Sequence, residues 1–182
     1  ALVVAESTPL AKVFRAEFDE MWSGQFKQKK SYRPPQMFKV GGSKITVQFS
    51  PTSRLLDWSA STNGLIAKTL MGAQKNIDAA LFVFSEQKLG NAMQQAHARA
   101  EVSVVVENKF AFRSYSELLD LLGVTMLDSQ TCTVEMGNAP WARPIERGGL
   151  PSLARGDVLH HKFAVVDTDQ VIFGSHNWSD SA

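Results

Sequence analysis

The chain has 182 residues, 44% of them hydrophobic, with 19 Lys and Arg against 18 Asp and Glu. That is enough apolar mass for one ordinary globular core, and the near-neutral charge excludes adhesion to nucleic acid by net charge alone, so any such contact must come from a local patch. The single cysteine, Cys132, excludes an internal disulfide and a cysteine-based zinc site, and no apolar run approaches the roughly 18 residues of a membrane span.

Leu2 to Ala5 reads as a short apolar strand. Thr8 then caps a helix that has Pro9 at its first position, where a missing N–H does no harm. Leu10, Phe14, Phe18 and Trp22 recur every four residues, giving an amphipathic helix whose stripe must pack on something, and Gly24 ends it. Residues 25–44 are Lys-rich, contain Pro34-Pro35 and Gly41-Gly42, and show no periodicity. They read as a linker, with Lys27, Lys29, Lys30 and Arg33 forming either a solvated connector or a phosphate-backbone patch.

From Ile45 strands and helices alternate: ITVQFSP, a helix near Gly64 to Gln74, IDAALFVFS, a helix capped by Ser85, then VSVVVEN. The second of these helices turns Leu89, Ala92, Met93, Ala96 and Ala100 inward. Ser114 and Glu117 make an S-x-x-E capping box for a leucine-filled helix that Gly123 terminates, before the strand VTMLD. Continuous apolar strands separated by helices predict an α/β fold with a mixed, largely parallel β-sheet flanked by helices on both faces. The stretch between Asp128 and Leu159 is too long for an ordinary connection. It reads as a lid or substrate-contact loop, with Arg143, Arg147 and Arg155 either phosphate contacts or plain surface charge.

The last stretch, Leu159 to Ser179, reads as strand, turn and strand closing around Thr168 to Gln170. Alternate side chains of a strand share a face, so His160 lies with Lys162, and Ser175 with Asn177. If the hairpin closes, the two pairs meet in a small polar pocket suited to an anion, phosphate best. Asp167 has the opposite parity to Lys162 and is expected to hold the turn. His161 is out of phase with His160, so the pair cannot jointly grip one metal ion. It reads as a second-face or core histidine. His97 falls on a helix surface, and His176 faces away from Ser175 and Asn177.

His160, Lys162, Asp167, Gly174, Ser175 and Asn177 together resemble the H-x-K-x4-D-x6-G-S-x-N motif of the phospholipase D superfamily, and the trailing Trp178 is similar to the nuclease-type members. The resemblance covers about residues 45–182 and implies a metal-independent phosphodiesterase with no cofactor. His160 would be the nucleophile, forming a phosphohistidine, and Lys162 would stabilise the charge on the nonbridging oxygens. Ser175 and Asn177 would orient the phosphate, Gly174 would admit close backbone approach, and Asp167 belongs to the catalytic signature. The substrate would be a nucleic acid or, alternatively, a phospholipid, hydrolysed or transferred to an alcohol. For the lipid reading, Trp141, Ile145 and Leu150 of the long loop could meet acyl chains. A third reading is an inactive half-site scaffold or binding module.

The family's active site is built from two H-x-K motifs, whereas this chain has one. The resemblance therefore implies a second motif, from a homodimer mate or another repeat, whose histidine protonates the leaving group. Residues 1–24 resemble the strand and helix that close a preceding repeat, residues 25–44 would link it, and residues 45–182 would form most of the next. The expectation is a piece of a two-motif protein or a single-motif chain that needs a partner.

Overall fold

A computed structural model describes residues 5–53 and 55–180, leaving aside the side chain of Gln28. The strand expected at Leu2 to Ala5 falls almost wholly outside the described residues. The chain divides into two compact units, Ala1–Leu65 and Ile66–Ala182.

In the first unit, α1 (Thr8–Trp22) starts from Ser7, whose hydroxyl accepts from the Leu10 N–H, with Pro9 in the first turn. Its stripe is only partly covered: Leu10 is buried, while Phe14, Phe18 and Trp22 are exposed. Phe14 meets Phe49 edge-on at 5.3 Å. Buried Glu17 takes Lys30 and Arg33, and Arg33 also bridges Glu20 at 2.7 Å, so two of the basic residues expected on a connector are spent on this helix. The segment expected to be aperiodic also forms a hairpin, β1 (Gln36–Val40) with β2 (Ser43–Val47), in antiparallel register. Gly41, at φ +58°, supplies the left-handed turn that a two-residue loop requires.

The second unit carries the five-stranded sheet, in the order β5-β4-β3-β6-β7. Helix α2 (Thr62–Gly72) leads to β3 (Asn76–Leu81); α3 (Gln87–His97) crosses to β4 (Glu101–Val106), which lies parallel to β3. Two short helices come next, α4 (Asn108–Ala111) and α5 (Glu117–Leu121). Then β5 (Arg147–Gly149) adds in parallel to β4, and β6 (Lys162–Val166) with β7 (Gln170–Phe173) completes the other edge. Leu70, Ile77, Leu81, Leu89, Met93, Val102, Val106 and Leu118 form the core.

The expectation of a largely parallel sheet is wrong. Helices do flank a mixed sheet, but among the described residues two of its four strand pairings are antiparallel, and with the separate β1–β2 hairpin three of the five pairings are antiparallel and two parallel. The physical reason is the connection into β6. β5 ends beside Val105 and β6 starts beside Leu81, both near the C-terminal ends of β4 and β3. With no helix to carry the chain back to the other end, the next strand must run antiparallel. Apolar continuity in KFAVV reports burial, not direction.

Three local readings also shift. VTMLD forms no strand, leaving one bridge between Leu127 and Val134, and the edge position is taken by Arg147–Gly149. A Cβ at Gly148 would fall 2.8 Å from Ile145 Cδ1, so a side chain here would require the Ile145 side chain to shift. Glu86, not Ser85, caps α3, and α5 begins at Glu117 after Ser116, so no Ser114 capping box forms. Glu117 instead turns into a buried acidic group with Glu86 and Asp120, where Gln87 Nε2 donates at 3.2 Å to both Glu117 and Asp120. Burial, then the charges of Asp120 and Glu86, push the Glu117 carboxyl up to about 8.

Candidate active site

The C-terminal ends of β3 and β4 gather the motif. Lys162, the first residue of β6, pairs with Leu81, the last of β3, and the N–H of Phe82 donates to the His161 carbonyl at 2.7 Å. On the other side, the Leu159 N–H donates to Glu107 Oε2 at 2.8 Å, and Glu107 is itself buried at the end of β4. His160, just outside the strand, is thus held by a bond on each flanking residue.

His160 and Lys162 come together as strand alternation predicts. Lys162 Nζ lies 3.2 Å from each ring nitrogen of His160 and donates to the His160 carbonyl at 3.0 Å. Phe82 floors the pair: its ring lies 4.4 Å from the His160 ring and 4.8 Å beneath Lys162 Nζ. The imidazole is exposed and the lysine buried. Burial holds the Lys162 ammonium below the usual lysine range.

The second polar pair arrives at the same end. The Gly174 N–H donates to the Lys162 carbonyl at 3.3 Å. Trp178, fully buried, anchors the far side of this segment: its N–H donates to the Val83 carbonyl, and its carbonyl accepts from the Ser85 and Glu86 N–H groups. Between these anchors Ser175 is exposed and Asn177 half-buried. Asn177 Oδ1 is shielded from water with no hydrogen-bond partner among the described residues. No hydrogen bond joins Ser175 or Asn177 to His160 or Lys162 there. A Cβ at Gly174 would meet only His176 Nδ1, at an ordinary 3.6 Å, so close packing does not explain that glycine.

Asp167 sits at the opposite end of β6. Its carboxylate accepts from the N–H groups of Gln74, Lys75 and Asn76 at 2.6 to 3.2 Å, and these bonds hold its pKa below the usual carboxylate range. Asp167 and Thr168 both have positive φ, at 54° and 64°, as a tight hairpin turn demands. Of the long loop's residues, Trp141 and Ile145 are buried, at 3% and 5% exposure, which removes them from contact with acyl chains; Leu150 is exposed. Arg143 donates to the His97 carbonyl and Arg147 pairs with Glu101 at 3.1 Å, both at the start of β4, away from His160. Arg155 is exposed.

The remaining histidines are peripheral. His161 is exposed and packs edge-on against Phe163, His97 lies against Trp141, and burial lowers the pKa of His176, whose Nε2 lacks a partner. Among the described residues no three of His, Cys, Asp and Glu are grouped as metal ligands, and no helix is long and apolar enough to cross a membrane. Sequence reasoning missed Phe82 and Glu107. Phe82 is hidden in an apolar run, whereas a carboxylate closing the strand VSVVVE was a readable signal.

Residues 66–182 match the family described as "Cardiolipin synthase, PLD-like domain". The chain is 25% identical over 169 residues to the mitochondrial cardiolipin hydrolase of Xenopus laevis, covering 90% of this chain and 69% of that protein. It is 28% identical over 130 residues to the mitochondrial cardiolipin hydrolase of Mus musculus, covering 70% of this chain and 48% of that one. Among solved structures, NucT from Helicobacter pylori aligns with a TM-score of 0.49 and 17% identity, over 65% of this chain and 68% of that chain. With the family match spanning well over half of the residues, the chain belongs to the phospholipase D superfamily.

Proposed function

We propose that this chain supplies one half of a phosphodiesterase active site, with His160 as nucleophile and a nucleic acid as substrate. The contact between Lys162 Nζ and the imidazole of His160 carries the reading: a nucleophile and a cation share one exposed strand end. A ring nitrogen of His160 attacks phosphorus, forming a P–N bond as the ester P–O bond breaks and the leaving oxygen takes a proton. Water then attacks phosphorus, the P–N bond breaks, and imidazole is restored. Lys162 stabilises the nonbridging oxygens as charge builds on them. Ser175 and Asn177 complete the cradle, the exposed Ser175 hydroxyl and the Asn177 side-chain N–H groups being the donors that a phosphate oxygen can use. Asp167 serves from a distance, fixing the hairpin that presents Lys162. The acid that protonates the leaving group comes from a second such motif, in another copy or another part of a longer protein.

The names of the cardiolipin hydrolases favour a second reading, a phospholipid diester as substrate of the same chemistry. Cleavage of a labelled oligonucleotide and of an anionic phospholipid, each in EDTA and each repeated with His160→Ala, tests both. Cleavage that survives chelation and is lost in the variant supports the phosphohistidine route, and the preferred substrate decides between the readings. Complete loss in EDTA would refute the metal-independent route.

A further inference from the structure

The segment directly after Glu107, NKFAFRSY, lies at the same strand end as His160. Phe110 turns inward, its ring 4.9 Å from Phe82 and edge-on, and Phe82 is the ring that floors His160. Ala111 is buried. Lys109, Phe112, Arg113 and Tyr115 all face solvent, with Phe112 54% and Tyr115 50% exposed. Arg113 Nε donates to the Lys109 carbonyl at 3.1 Å, holding the guanidinium against the turn. Among the described residues neither cation enters a salt bridge. The pattern also runs against its background, since residues 66–182 hold ten Lys and Arg and thirteen Asp and Glu.

Half-exposed aromatic rings add little to the stability of a chain, and here two of them alternate with two unpaired cations within seven residues of one another. We propose that residues 109–115 form a binding strip for single-stranded polynucleotide, in which bases stack on Phe112 and Tyr115 while Lys109 and Arg113 meet the backbone phosphates. Bases in a duplex are already stacked on one another and cannot reach the rings. A bilayer would instead call for a continuous apolar patch. The proposal deepens the phosphodiesterase reading by naming its substrate class, and it is tested by binding, which needs no catalysis.

Fluorescence anisotropy with a labelled single strand, the same strand bearing abasic sites, and the corresponding duplex provides the test. The intact strand is expected to bind about tenfold more tightly than the abasic one, the factor that one stacked base is worth. Phe112→Ala with Tyr115→Ala erases that difference, and Phe112→Leu with Tyr115→Leu, which keeps bulk without a π face, does the same should the alanine pair unfold. Lys109→Ala with Arg113→Ala weakens both single strands alike and flattens the salt slope by about 1.4. Equal binding of intact and abasic strands, preference for duplex, or a response of these variants only to anionic phospholipid vesicles would overturn the strip. A protein that binds the strand through these residues yet never cleaves it when a second H-x-K motif is supplied would refute the phosphodiesterase reading alone.

Discussion

The two ends of the five-stranded sheet are finished in opposite ways. At the start of β3, Asp167 takes three backbone N–H groups, Arg99 closes on the Met71 and Ala73 carbonyls, and Arg147 pairs with Glu101. At the other end, the Lys162 ammonium has been drawn out of water onto an exposed imidazole, Asn177 Oδ1 has no partner, and aromatic rings stand in solvent. A cation drawn from water against an exposed imidazole, with aromatic rings left in solvent beside it, is an arrangement that a bound anion would complete. The H-x-K and D of the motif, with only four residues between them in sequence, are divided between these ends by the length of β6. Lys162 is at one end and Asp167 just past the other.

Substitutions should tell the two ends apart, beginning with the greatest loss. His160→Ala should lower kcat/KM by at least about four orders of magnitude with an unchanged melting temperature, measured by oligonucleotide cleavage and calorimetry. Next comes a stability effect at the buried acidic group. Glu117 is protonated in the fold up to about pH 8 and ionised in the unfolded chain above its ordinary value. The folded state therefore holds a proton that the unfolded state releases, and stability falls as pH rises from about 4.5 to about 8, by at most about 5 kcal/mol. Glu117→Gln should abolish that slope in urea titrations across the range; a wild-type stability flat with pH would count against the buried acidic group.

Lys162→Met should cost about 100- to 1,000-fold in kcat with little change in KM, since the ammonium acts on charge that builds in the transition state. Because burial holds the Lys162 pKa down, the alkaline limb of the rate profile should fall at a lower pH than for an ordinary lysine. Asp167→Ala should do the reverse of His160→Ala, lowering the melting temperature while leaving kcat/KM within about threefold. The Asp167 pKa is depressed in the fold, so its contribution is present above the usual carboxylate pKa and lost as pH falls through its lowered value.

How much of this was legible in the sequence depends on the range of each signal. The period of two placed His160 with Lys162, and its parity argument put Asp167 at the turn, because both concern residues of one strand and its immediate flanks. Strand direction was not legible, since it depends on where the chain re-enters the sheet after β5. Nor was β5, three residues of RGG whose pairing is dictated by Ser103 to Val105 on another strand. The arginines of the long loop looked alike in sequence, and only the fold sends Arg143 and Arg147 to the satisfied end. The β1–β2 hairpin was masked by its lysines and prolines, though Gly41-Gly42 was the readable mark of its turn.

That His160 attacks phosphorus can be read directly by quenching a cleaving preparation with alkali and mapping the covalent phosphoryl adduct by mass spectrometry. A substrate-derived phosphoryl group is expected on the peptide that contains His160, and none in His160→Ala. An active preparation that carries no adduct under these conditions, or carries it on another residue, would contradict the assignment.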